Sequence, residues 1–161
     1  MKNLLAAIDF SKGTESVIYQ ASQLARALDA KLWILHAASD KAQAIPCATT
    51  QFSDYPVEFT TMPGDVQLAR DLNAQEIKHE HGALLGISAK LRREGINAQA
   101  ILLKGSAAKL IIEKSEQFDA EMIILGSHGH GLLHKTFLGS ISESVLQHAK
   151  CSVLIVPAGN T

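Results

Sequence analysis

The stretch from Gly126 to Ser140 reads Gly-Ser-His-Gly-His-Gly-Leu-Leu-His-Lys-Thr-Phe-Leu-Gly-Ser and gathers glycines, hydroxyls and imidazoles into one loop. Gly126, Gly129 and Gly131 have no side chains, so the backbone there can take φ > 0 and a ligand can approach it closely. Successive backbone N–H groups then form a concavity suited to an anion. Ser140-Ile141-Ser142-Glu143 has the spacing of a capping box, which predicts the start of a helix. A helix N-terminus adds N–H groups and a partial positive charge, both complementary to phosphate. Gly139 leaves room for that phosphate, and the Ser140 hydroxyl is placed to donate to it or to cap the helix. The competing reading is a turn that uses its glycines only to change direction; the second Gly-Ser pair at a helix start weighs against it. Two familiar phosphate motifs fail here. Lys135-Thr136 follows Gly129 at P-loop distance, but His134 stands where that motif needs glycine. Gly129-His130-Gly131 leads into Leu132-Leu133-His134, without the third glycine of a dinucleotide fingerprint.

A loop of this kind needs a strand before it and a helix after it. Leu4 to Ile8 is a short continuous apolar run ending at Asp9-Phe10-Ser11-Lys12-Gly13, as expected for a strand buried on both faces. Val17, Ile18, Ala21, Leu24, Ala25 and Leu28 form one helical stripe. Leu32 to Leu35 reads as a second strand, ending at His36-Ala37. Residues 38–64, with Pro46, Pro56, Pro63 and Gly64, read as a long irregular segment: a lid, a partner surface or a variable insertion. A helix is predicted from about Asp65 to Glu94, with Gly95 as its stop and Gly82 and Gly86 weakening its middle. Ala98–Leu103, Met122–Leu125 and Ser152–Val156 read as three more strands, separated by helices through Leu110–Gln117 and Ser140–His148. Such alternation implies an α/β fold: a mostly parallel sheet, helices on both faces and right-handed crossovers. Ligands in these sheets bind beyond the carboxyl ends of the strands, where the glycine loop lies.

Length and composition narrow the function. The 161 residues suit one domain, 1–161, with an ordinary core. A formal net charge of −1 argues against a nucleic-acid binder and against electrostatic docking on membranes. No segment approaches the length of a membrane span. The apolar run after Met1-Lys2 is too short for a signal peptide and stops at Asp9. Cys47 and Cys151 do not make a disulfide framework. The expected location is the cytoplasm.

Other chemistry is thinly supported. His79 and His81 are two apart on a predicted helix and point to different faces, so no protein-held metal is expected. A divalent ion, Mg or Mn, would be held mainly by a nucleotide's phosphates. Ser11, Ser127 and Ser140 lack a recognisable base, and their simpler roles are capping and turn formation. Cys151, at a strand start, reads as packing. Lys12 and Lys135 read as solvated.

The spacing Gly126-x2-Gly129-x9-Gly139-Ser140 resembles the nucleotide-binding pattern G-x2-G-x9-G-[S/T] of the universal stress protein family. Ala7-Ile8-Asp9-Phe10-Ser11 is similar to that family's first strand and its aspartate, and Ser144–Ala149 before Cys151 to its last helix. The resemblance implies a Rossmann-like open five-stranded parallel sheet of order 3-2-1-4-5. It also implies an adenine nucleotide, ATP or else ADP or AMP. Its contacts would be Ala7, Asp9 and Ala37 around the adenosine, and Gly126, Ser127, His128, Gly129, His130, Gly131, Leu132, Gly139, Ser140, Ile141 and Ser142 around the phosphates. Asp9 would hydrogen-bond the ribose; its simpler role is a solvated turn aspartate. The family often has a basic residue in the loop, where this chain has His128, His130 and His134, so phosphate affinity is expected to rise as pH falls. The resemblance further implies a homodimer through the last strand, 152–156. Three functions stay open: a nucleotide-binding regulatory protein of the stress response, which is favoured; a slow ATP-hydrolysing enzyme; and a dimeric scaffold that binds no nucleotide.

Overall fold

The structure is a computed structural model and describes residues 2–38, 63–127 and 138–157. Strands β1 (Asn3–Ile8), β2 (Lys31–Ala38), β3 (Ala98–Lys104), β4 (Met122–Gly126) and β5 (Ser152–Val156) are all parallel and form one sheet of order β3-β2-β1-β4-β5. Helices α1 (Thr14–Ala27), α2 (Pro63–Arg93), α3 (Ala107–Gln117) and α4 (Ser140–His148) lie between consecutive strands. Side chains alternate across each strand, so each strand feeds two cores. Leu4, Ala6 and Ile8 of β1 and Leu32 and Ile34 of β2 pack with Val17 and Ala21 of α1 and Leu84 and Leu91 of α2. Leu5 and Leu35 instead pack with Ile123 and Leu125 of β4, Ile111 of α3 and Val145 of α4. Helices α1 and α2 therefore cover one face, and α3 and α4 the other. That is why the central strands are apolar runs rather than alternating ones.

Some boundaries differ from those predicted. Strand β2 continues to Ala38, because pairing with β3 extends through His36↔Leu102, Ala37↔Leu103 and Ala38↔Lys104. His36 and Ala37 thus belong to the strand rather than following it. Pro63 and Gly64, placed above in the irregular segment, are the first residues of α2; proline is compatible with a helix start because its missing N–H would have no helical partner there. The rest of that segment, 39–62, lies outside the described residues. Helix α2 passes through Gly82 and Gly86 without a break; its packing against β3 and β2 outweighs their weak propensity.

Three of the helix-to-strand connections share one device. Asp29, Gly95 and Asp119 take positive φ of 48°, 83° and 51°. In each case the next residue donates its N–H back five positions: Ala30 to Ala25, Ile96 to Leu91 and Ala120 to Ser115, at 2.8–3.0 Å. This is the Schellman geometry, and Ala30, Ile96 and Ala120 are the buried apolar residues that accompany it. The chain is thereby turned sharply into β2, β3 and β4, and the carboxyl ends of all the strands are left at the opposite edge.

Candidate functional site

A cavity of about 810 Å³ opens at that edge, over the carboxyl ends of β1, β2 and β4. The order reverses here: the chain builds outward from β1 to β3, then returns to place β4 on the other side of β1. Such a switch point leaves a crevice between helices that diverge to opposite faces. The volume is within the range of small-molecule sites.

Three helices begin at the cavity. Gly13 and Thr14 of the α1 start, Gly105 and Ala107 of the α3 start, and Ile141 and Ser142 of the α4 start all line it. Among the described residues no side chain caps the N-terminus of any of the three. Their N–H groups and the positive ends of their dipoles thus face the same space. Gly105 serves its turn with φ of 138°, a value that side-chain-bearing residues rarely adopt.

The structure brings Ala7, Asp9, Ala37, Gly126, Ile141 and Ser142 to the cavity wall. Ala7 and Ala37 lie on the α3/α4 face of the sheet. Ser127, Gly139 and Ser140 stand at the stem of the glycine loop, off the wall. His128, Gly129, His130, Gly131 and Leu132 lie outside the described residues, as does Lys135.

The stem is closed by four hydrogen bonds. Ser127 N–H donates to the Val156 carbonyl at 2.9 Å, which continues the β4–β5 pairing by one residue. Gly139 N–H donates to the Ser127 carbonyl at 3.0 Å, and Glu143 N–H to the Gly139 carbonyl at 2.9 Å. Ser142 Oγ donates to the Gly126 carbonyl at 2.9 Å. The two ends of the glycine loop are therefore held together just outside the sheet. The expected capping box is corrected here: Gly139 is the N-cap residue of α4, Ser140 is the first residue of the helix, and no side-chain cap bond forms. The serine with the structural role is Ser142, which is buried; its hydroxyl reaches the last residue of β4 instead of its own helix.

The α1/α2 side of the cavity holds residues that sequence reasoning missed. Asp9 follows β1, and its Oδ1 accepts the Ser11 N–H at 3.0 Å, an Asx turn. That turn drives Phe10 to a φ of 56°, and its ring meets the His36 ring edge-on at 4.6 Å. His36 continues the inward row of Leu32 and Ile34, and it is buried. Its Nδ1 is 2.9 Å from the Ile8 carbonyl, and its Nε2 is 3.3 Å from Glu80 Oε2 on α2. Glu76, His79 and Glu80, on adjacent turns of α2, also line the cavity. The available signal was a histidine in register with an apolar strand face. The partner on α2 had no signal, because nothing local marks which turn of a long helix crosses a strand end.

Two buried side-chain polar atoms among the described residues lack a hydrogen-bond partner, Thr14 Oγ1 and His36 Nε2. Both residues line the cavity. Buried polar groups are normally paired, so the cavity has polar demand suited to a ligand or water. Among the described residues no group of three or more His, Cys, Asp or Glu is placed to hold a metal ion. No described helix is long and apolar enough to cross a membrane. Cys151 is away from the cavity, packed against the α3/α4 core, and burial pushes its thiol up from the ordinary value despite a hydrogen bond with Ser115.

Comparison with known proteins agrees with the fold. The model of the universal stress protein family matches residues 1–157. Universal stress protein Sll1388 of Synechocystis is 26% identical over 154 residues, covering 95% of this chain and 96% of the relative. Universal stress protein UspA from Lactobacillus plantarum shares the fold with a TM-score of 0.73 at 19% identity, covering 96% of this chain and 97% of that one. Two further structures, each 19% identical, share the fold. One is a universal stress protein in complex with cAMP, with a TM-score of 0.61 and coverage of 98% of both chains. The other is the universal stress protein from Archaeoglobus fulgidus in complex with dAMP, with a TM-score of 0.58, covering 97% of this chain and 98% of that one.

Proposed function

This chain belongs to the universal stress protein family, and we propose that its crevice binds an adenine nucleotide, ATP foremost, whose presence changes the protein's conformation or partners in a stress response. The observation that carries the reading is the convergence of three uncapped helix N-termini on one cavity beside the stem of the glycine loop. Phosphate is the group that this arrangement suits best. The cAMP and dAMP complexes of the two structural neighbours support the adenine half of the reading.

In the bound state, the α4 N-terminus and the backbone from Gly126 to Gly131 hold the phosphates. Ala7, Asp9 and Ala37 hold the adenosine. Mg or Mn accompanies ATP on its phosphates. The chain's own residues orient the ligand and keep water from it; no general base is assigned, so any hydrolysis is slow. A second copy pairs along β5, which stands at the edge of the sheet with Val153, Leu154 and Ile155 half-buried. Unpaired edge backbone of this kind recruits a partner strand.

Calorimetric titration of Gly129→Val with ATP tests the phosphate assignment. The valine side chain fills space meant for phosphate, and affinity should fall at least tenfold while the circular dichroism spectrum is kept. Unchanged affinity would move the phosphates elsewhere. Ile155→Lys tests the edge: light scattering should show the dimer converted to monomer.

A further inference from the structure

We propose that His36 and Glu80 form a proton-dependent latch that holds α2 against the end of β2 and so shapes the wall of the cavity. The Ile8 carbonyl has no proton to give, so at 2.9 Å the His36 Nδ1 must be the donor. In the neutral ring, that leaves a lone pair on Nε2, which is 3.3 Å from a Glu80 carboxylate oxygen. Two acceptors then face each other across the contact, and Nε2 makes no hydrogen bond in the structure. One added proton on Nε2 turns the contact into an ion pair between imidazolium and carboxylate. The His36 side chain is only 7% exposed and cannot turn away to water, whereas the Glu80 side chain keeps 23% exposure and can. Loss of the proton therefore drives Glu80, and the turn of α2 that carries it, outward.

The contact is positioned to matter for the site. His36 precedes Ala37 and is the β1-register partner of Ile8, next to Asp9. Its ring also supports Phe10, which the Asp9 turn holds at positive φ. The latch thus joins the ends of β1 and β2 to α2 at a single imidazole. Among the described residues, the other charged or titratable groups on the cavity wall are Asp9 on the β1 side and Glu76 and His79 on α2; the described parts of α1, α3 and α4 that line it contribute none.

The affinity readout rests on the nucleotide reading above, so the experiment pairs it with one that does not. Adenosine serves as the probe, because it lacks the phosphates to which the expected pH effect of His128, His130 and His134 is tied. Wild-type affinity for adenosine should be at least threefold weaker at pH 8 than at pH 6. Glu80→Gln should flatten that response, because the glutamine amide can donate to the neutral Nε2 at either pH. In parallel, ¹⁵N NMR of the ligand-free protein should show His36 keeping its Nε2 proton to higher pH in wild type than in Glu80→Gln. A wild-type His36 with one ring proton at both pH 6 and pH 8 would overturn the latch. So would a Glu80→Gln protein whose adenosine affinity follows pH as the wild type's does. If adenosine binds at neither pH while the NMR difference between the two proteins is present, the nucleotide reading fails and the proton-dependent contact stands.

Discussion

Ser142 Oγ donates to the Gly126 carbonyl at 2.9 Å, joining the first turn of α4 to the last residue of β4. Gly126 opens the glycine loop and Ser142 lies just beyond its close, so this bond fixes the span that the loop must bridge. Ser142→Ala leaves the carbonyl without its partner and should cost about 1–2 kcal/mol in urea unfolding. Ser140→Ala removes an exposed hydroxyl that caps nothing and should stay within about 0.5 kcal/mol of wild type. The opposite order would restore Ser140 as the cap.

Asp9 combines two roles that a pair of variants can separate. Its carboxylate orders the turn through the Ser11 N–H and lines the cavity. Asp9→Ala should weaken adenosine as well as ATP, by about fivefold or more. Asp9→Asn keeps the Asx turn, because the amide oxygen still accepts from Ser11. It should therefore retain wild-type stability while losing part of the adenosine affinity. Unchanged adenosine affinity in both variants would remove Asp9 from the site.

Three glycines should respond to alanine with opposite signs. Gly95 has φ of 83° and open space where a Cβ would stand, so Gly95→Ala meets only backbone strain, about 1 kcal/mol or slightly more. Gly82 and Gly86 sit within α2 with nothing within 4 Å of an added Cβ. Gly82→Ala and Gly86→Ala should each stabilise by about 0.5–1 kcal/mol through better helix propensity. Thermal and urea unfolding of the three single variants check the signs.

Cys151 carries a pH prediction. Burial raises its thiol, so the thiolate forms at higher pH in the folded protein than in the unfolded chain. In a Cys47→Ser background, iodoacetamide should modify Cys151 more slowly in the folded protein than in urea at the same pH. A folded value above the unfolded one adds stability below the unfolded value and loses it as pH rises through the folded one. Stability should therefore decline on the alkaline side, and less so in Cys151→Ala.

The strands were legible because burial on both faces leaves continuous apolar runs such as Leu4–Ile8 and Met122–Leu125. The order β3-β2-β1-β4-β5 was not legible from those runs; it came from the family resemblance, since hydrophobicity says that a strand is central but not which strand is its neighbour. Gly95 announced its turn, whereas Asp29 and Asp119 make the same turn unseen, because aspartate tolerates positive φ without advertising it. The glycine-loop stem was placed correctly between β4 and α4, but the capping residue was displaced by one. Ser140 and Ser142 have the same chemistry, and only the approach of Gly126, 16 residues from Ser142, decides which hydroxyl is engaged. His36 looked like the end of a strand because its two partners, Ile8 and Glu80, come from other elements.

The measurement closest to the central claim is mass spectrometry of the small molecules released when the freshly purified protein is denatured, followed by calorimetric titration of the stripped protein with ATP, ADP and AMP. A released adenine nucleotide, or micromolar affinity for ATP, is the expected result. No released nucleotide, together with no heat for any of the three, would contradict it and leave the glycine loop as a structural turn in a scaffold.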